Sequence, residues 1–225
     1  MKLRSKRYSK QAEQTNKEPL PLVEAVAKIK SFTSAKFDQT VECVMQLGID
    51  PKHADQLVRG SLSLPHGIGK QKKVIAFCDE TEAEAVKKAG AIDAGCDALI
   101  QKVLDGWMDF DVAIASPKVM GKAGKLGRVL GPQGKMPSPK NGTVTSDVKT
   151  AVAEFAAGKV EFRNDAGGNV HVVVGKQSFD ARKLVENIEA LVSHIKAVKP
   201  SASKGTYLKK VCICATMSPS VAVSV

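Results

Sequence analysis

The chain has 225 residues, 43% of them hydrophobic, and its 34 Lys and Arg against 23 Asp and Glu leave a net charge of +11. No apolar run reaches the roughly 18 to 20 residues of a membrane helix, and no apolar segment follows the basic MKLRSKRYSK start as a secretory signal requires. Five cysteines without C-x-x-C spacing, and His53, His66, His171 and His194 without zinc spacing, point to a soluble intracellular chain with reduced thiols, no metal and no cofactor.

In chain order, Val23, Val26, Ala27 and Ile29 fall near one face and predict a short helix over 22–30. Residues 37–47 alternate and predict a strand, broken at Gly48-Ile-Asp-Pro51. Residues 57–65 read as extended, and Pro65-His-Gly-Ile-Gly69 as a turn or hinge. The texture changes at Lys70. Residues 74–78 form an unbroken apolar strand, 81–88 a helix capped by Asp79 or Thr81 and ended at Gly90, and 97–100 and 112–115 further apolar strands. Unbroken apolar strands alternating with helices predict a parallel sheet covered on both sides. Residues 116–143 read as loop and 147–157 as a helix ending at Gly158. The first texture then returns: 160–163 and 170–174 as a hairpin around the NDAGGN turn, 180–198 as the longest helix, and 209–217 as a last strand. The expected fold is therefore α/β (α+β) in two domains. Residues 1–67 and 159–225 make a discontinuous α+β domain, and 68–158 an inserted Rossmann-like α/β domain.

Charge is segregated. Residues 1–10 carry Lys2, Arg4, Lys6, Arg7 and Lys10 without an acid, 118–143 carry five Lys and Arg128 without an acid, and no acid follows Glu189. Residues 79–111 hold nine acids and three lysines. Separate basic and acidic stretches point to surfaces facing a polyanion and a surface turned away from it. With seven Phe, two Tyr and one Trp, stacking platforms for a single strand are scarce, which favours a folded RNA read by shape and phosphates.

Enzyme signatures fail. Gly134-Lys135 is followed by Met136 and Gly69-Lys70 by Gln71, so neither completes a phosphate-binding P-loop, and no G-x-G-x-x-G or G-x-S-x-G occurs. The Gly- and Lys-rich run 121–142 instead suits a loop that touches phosphates of a large polyanion, with Lys122, Lys125, Arg128, Lys135 and Lys140 as its cations. His66 reads as a turn residue, His171 as a core-edge histidine, and Asp109 and Asp111 as solvated charges.

Several segments together resemble one family. They are Lys36-Phe-Asp-Gln-Thr-Val-Glu42, Leu47-Gly-Ile-Asp-Pro51, Leu64-Pro-His-Gly-Ile-Gly-Lys70, Leu126 through Lys140, Gly175-Lys-x-Ser-Phe179, Lys199-Pro through Tyr207, and Thr216-Met-Ser-Pro219. In order and over nearly the whole length they resemble the L-one family of ribosomal proteins. The resemblance implies a non-enzymatic constituent of the large subunit, free as a monomer, whose discontinuous domain grips the ribosomal RNA of the mobile stalk. It implies further partners: tRNA at the exit site, whose deacylated form it helps release, the messenger of its own operon, which it represses, and other ribosomal components. It places RNA contacts at Lys36, Phe37, Thr40, Glu42, His171, Tyr207, Thr216, Met217 and Ser218, and a hinge at Gly67, Gly69 and Gly158. The chain departs from the family pattern at Gln39, where Glu is usual, and at Ser218, where Gly is usual. Ser218 is expected to weaken or reshape a close backbone approach to RNA, and Gln39 to do little harm.

Overall fold

The computed structural model describes residues 5–15, 18–32 and 35–224. Lys2 and Arg4 of the basic run lie outside them. In chain order the elements are α1 (Lys6–Glu13), β1 (Leu20–Pro21), α2 (Leu22–Ser31), β2 (Thr40–Leu47), β3 (Arg59–Leu62), β4 (Val74–Phe77), α3 (Glu80–Lys88), β5 (Asp93–Gly95), α4 (Asp97–Leu104), β6 (Val112–Ala115), α5 (Met120–Ala123), α6 (Gly127–Leu130), α7 (Val148–Ala156), β7 (Val160–Arg163), β8 (Asn169–Lys176), α8 (Ala181–Ala197), β9 (Leu208–Ala215) and β10 (Val221–Ser224). The architecture is α+β. Two compact units divide the chain, 1–69 with 160–225, and 70–159.

In the first unit five strands lie in the order β1-β10-β9-β2-β8, with β2 antiparallel to both neighbours. The period-two pattern turns Val41, Cys43, Met45 and Leu47 of β2 inward, with Val170, Val172 and Val174 of β8 and Val211 and Ile213 of β9. These pack on α2 and α8, whose Ile29, Leu184, Ile188, Leu191 and Ile195 are fully buried. The buried stripe of α2 is Ala25, Val26 and Ile29, with Leu22 half-buried beside it; it keeps Val26 and Ile29 of the expected face, while Val23 is 64% exposed and Ala27 faces solvent. Thr40, Glu42, Val44 and Gln46 face outward from the sheet, beside His171, Val173, Cys212 and Cys214.

The segments 160–163 and 170–174 do not form a continuous hairpin. They share a single bridge, Asn164 to Val170, and then part: β7 pairs with β3, and β8 with β2. The valines of β8 are needed over α8, so the strand leaves its sequence neighbour for the larger sheet.

In the second unit β5, β4 and β6 form a parallel sheet with β4 central. Val74 and Ala76 of β4 and Val112 and Ile114 of β6 pack with α3 and α7, while Ile75, Phe77, Ala113 and Ala115 pack with α4 and α6. Both faces are covered, which is why these strands read as unbroken apolar runs. Residues 97–100 are helix, not strand: Leu99, Ile100 and Val103 are buried at helical spacing, and the third strand is Asp93–Gly95. Residues 116–143 are likewise not plain loop. The helical turns of α5 and α6, joined by a 3-10 turn over Gly124–Leu126, bury Ala123, Leu126 and Leu130 completely.

Candidate nucleic-acid interface

The antiparallel register gathers the family-matched segments. Because β2 lies between β9 and β8, its entry over 36–40 stands beside the exits of both neighbours, 215–218 and 175–178. The Thr216 N–H donates to the Thr40 carbonyl at 3.1 Å, and the Thr40 N–H donates to Thr216 Oγ1 at 3.1 Å. Lys176 Nζ reaches Thr40 Oγ1 at 2.9 Å. Asp38 accepts from the Ser178 N–H at 3.1 Å and from Ser178 Oγ at 2.8 Å. Beneath them lies Gln39, 2% exposed, whose amide donates to Gln177 Oε1 at 3.1 Å and accepts the Met217 N–H at 2.8 Å. Gln177 in turn donates to the Ile29 carbonyl, fixing the cluster to α2.

This scaffold leaves two large apolar side chains in solvent, Phe37 at 50% and Met217 at 48% exposure. Burying either against a partner is favourable, and neither has a place in the core. Lys36, also exposed, and Lys30, which donates to the Phe179 carbonyl, flank Phe37 around an open hollow of about 660 Å³. Hydroxyls, backbone groups, two apolar contacts and several cations on one rim suit a folded polyanion with sugar and base edges accessible. Glu42 sits one outward position along β2, between Val173 and Cys214. Burial, with Glu42 and Cys212 nearby, raises the Cys214 thiol above its ordinary value.

Ser218 is not in a strained position: no described non-glycine residue has a positive φ. Its hydroxyl turns inward, accepting the Ala215 N–H at 2.9 Å and donating to the Pro219 carbonyl at 3.0 Å, so it closes the turn after β9.

Other expected contacts lie apart. Tyr207 is buried at 7% in the core of the first unit, so its ring is not presented to solvent; burial raises its phenol pKa, and its hydroxyl has no partner among the described residues. His171 pairs across from Val44, about 13 Å along β2 from Thr40 at the strand rise. It faces solvent 3.8 Å from Asp165 and is not a core-edge residue.

In the second unit two of the expected phosphate-facing lysines are engaged. Lys122 is paired with Asp97 at 2.8 Å, which raises the lysine and lowers the carboxyl from their usual values. Lys135 donates to the carbonyls of Met108 at 3.2 Å and Phe110 at 2.6 Å and lies over the Phe110 ring. Lys125, Arg128 and Lys140 are exposed and carry no ion pair among the described residues. Asp109 and Asp111 are exposed to solvent, as expected, and are paired as well. Asp109 pairs with Lys73 at 2.6 Å, and Asp111 accepts the Lys73 N–H at 3.0 Å, which holds its carboxyl below the usual range.

Gly67 and Gly69 adopt positive φ of 61° and 73°. The segment around them is fastened within the first unit. The fully buried Asn187 donates to the Gly67 carbonyl at 3.0 Å and the Val174 carbonyl at 2.8 Å, and accepts the His66 N–H at 3.1 Å. A Cβ on Gly69 would meet the Phe179 ring at 2.8 Å, so the position excludes any side chain. His66 bonds Glu186, lowering that carboxyl, so it does more than fill a turn. Among the described residues no group of His, Cys, Asp or Glu is placed to hold a metal ion.

Gln39, Lys176, Gln177 and Asp38, which organise this interface, stand inside the matched segments, but the partners they meet across the sheet are not visible there. Lys176 stands inside a recognisable stretch, yet its place opposite Thr40 follows from strand register alone.

Comparison with known proteins shows the family. A family model described as Ribosomal protein L1p/L10e family matches residues 29–219. A large ribosomal subunit protein uL1 of Rhodopirellula baltica is 58% identical over 221 residues, 98% of this chain and 98% of its own length. Proteins of the same name from Thermobifida fusca and Chlorobaculum tepidum are 49% and 47% identical, over 98% and 99% of this chain and 94% and 97% of theirs. The chain belongs to the ribosomal protein L1p/L10e family, a family of structural proteins and not of enzymes.

Proposed function

We propose that this chain is a structural constituent of the large ribosomal subunit in the bacterial cytoplasm, holding the ribosomal RNA of the mobile stalk through the rim around Thr40, Thr216 and Met217. The observation that carries the reading is the convergence of 36–40, 175–178 and 215–218 at one end of the sheet, with Phe37 and Met217 exposed above a hydrogen-bonded scaffold. The test is binding to a folded stalk RNA fragment and to an unrelated RNA of equal length across a salt series. Preference for the stalk fragment is expected to persist at high salt, because shape and base contacts are less screened than phosphate contacts. Equal, steeply salt-dependent binding to both would overturn it.

The finer roles belong to the same proposal. The first unit is the RNA-binding domain. The second unit faces tRNA in the exit site with Lys125, Arg128 and Lys140 and assists release of deacylated tRNA, other ribosomal components being its further partners. The free chain is a monomer and represses its own operon by binding a mimic of the stalk in messenger RNA. For the hinge, fastening of Gly67 and Gly69 favours a pivot at the crossings Gly69-Lys70 and Lys159-Val160, the second just after Gly158. Translation of a reporter carrying the operon leader, repressed by the wild-type chain and released by Met217→Ala, tests the regulatory part.

A further inference from the structure

The basic start of the chain has no role in the interface described so far. Residues Lys6–Glu13 are not an arm but a helix, with Ser5 as N-cap, its Oγ accepting the Tyr8 N–H at 3.3 Å. The helix is amphipathic in an unusual sense, since the face turned from solvent is polar: Gln11 is 4% exposed, with Arg7 and Tyr8 partly covered one turn before it. A long-range bond helps to seat it. Arg7 Nη2 donates at 3.2 Å to the carbonyl of Met217, the residue whose N–H is held by Gln39. The opposite face presents Lys6, Ser9 and Lys10 to solvent, and neither lysine has an ion pair among the described residues. Glu13, at the last position, is the one acid of this helix.

We infer that α1 is a second contact surface for the same RNA, with Lys6 and Lys10 neutralising backbone phosphates next to the segment that Met217 reads. The inference rests on the RNA-binding reading above. The Arg7 bond places the helix against the backbone of a proposed contact residue, so an RNA lying on Met217 runs past α1. The helix offers cations without aromatic or carboxamide groups aimed outward, so its contribution is to affinity and salt dependence and not to the choice between RNAs.

The test is the double variant Lys6→Gln/Lys10→Gln in the full chain, against Lys183→Gln/Lys196→Gln on α8 as control. Gln keeps helix propensity close to that of Lys, so the helix survives the change. With the stalk fragment, the α1 variant is expected to bind roughly tenfold more weakly at low salt and to lose about two from the slope of log affinity on log salt. Its preference for the stalk over the unrelated RNA is expected to persist, and the control to keep the wild-type slope. A wild-type chain that prefers the stalk RNA, with an α1 variant of unchanged slope, would overturn the inference alone. A wild-type chain without preference overturns the reading beneath it as well.

Discussion

The backbone N–H of Met217 donates to the side-chain oxygen of Gln39 at 2.8 Å, so an exposed residue is positioned by a buried one. The other end of the Gln39 amide donates to Gln177, and one carboxamide therefore joins the strand entry to both strand exits. Gln39→Ala removes all of this and is expected to destabilise the chain by about 1–3 kcal/mol through unsatisfied buried groups. Gln39→Glu, the usual family residue, keeps the acceptor for Met217 but sets a carboxylate against Gln177 Oε1. It is expected to be less stable than wild type, by about 1 kcal/mol, unless Gln177 turns its amide over. Urea denaturation of both variants decides this. Equal midpoints for all three chains would show that the carboxamide bridge contributes nothing.

Met217 and Ser218 are neighbours with opposite orientations. Met217→Ala truncates a side chain outside the core, so stability is expected to stay within about 0.5 kcal/mol while preference for the stalk RNA is lost. Ser218→Gly removes an inward hydroxyl, so stability falls by about 1 kcal/mol while preference is retained. Thermal melts beside RNA titrations separate the two. The reverse pattern would mean that Ser218, and not Met217, faces the partner.

Asn187 satisfies His66, Gly67 and Val174 from within the core. Asn187→Ala strands three backbone groups and is expected to cost about 2–4 kcal/mol in urea denaturation, with faster amide exchange at His66. A loss below about 1 kcal/mol would show that water replaces the side chain and that the 64–69 segment is not fastened by it.

Asp93 begins the edge strand β5 and bonds Lys87 and Lys102, each at 2.9 Å. Burial raises its carboxyl, but the bonds from Lys102 and Lys87 outweigh this and hold its pKa below the ordinary 3.8. A carboxyl lowered in the folded state stabilises at neutral pH, and that contribution is lost as pH falls through its folded value. Asp93→Asn is therefore expected to be less stable by about 1 kcal/mol at pH 7, for two partly exposed pairs, and to converge with wild type in acid. The lone Trp107, in the same unit, reports the transition by fluorescence. A difference that stays constant from pH 7 to pH 3 would assign the effect to packing.

What the residues by themselves determined was periodic or compositional. The alternation of β2, the helical stripe of α8 and the unbroken apolar strands β4 and β6 each follow from which faces must leave water, a property local in sequence. The failure of every enzyme fingerprint is read from residue identity at fixed spacing, and multi-segment resemblance pointed to the family. Tertiary structure decided what depends on partners distant in sequence. Residues 97–100 became helix because the sheet takes its third strand from 93–95. The two halves of the expected hairpin parted because β8 is drawn to the α8 core. Tyr207 went inside, and Lys122 and Lys135 were taken by groups from other segments. Gln39, expected only to do little harm, became the link between the strand entry and both exits. A hydrogen bond across 178 residues of chain carries no periodic trace, so only the register of β9, β2 and β8 brings Gln39 to Met217.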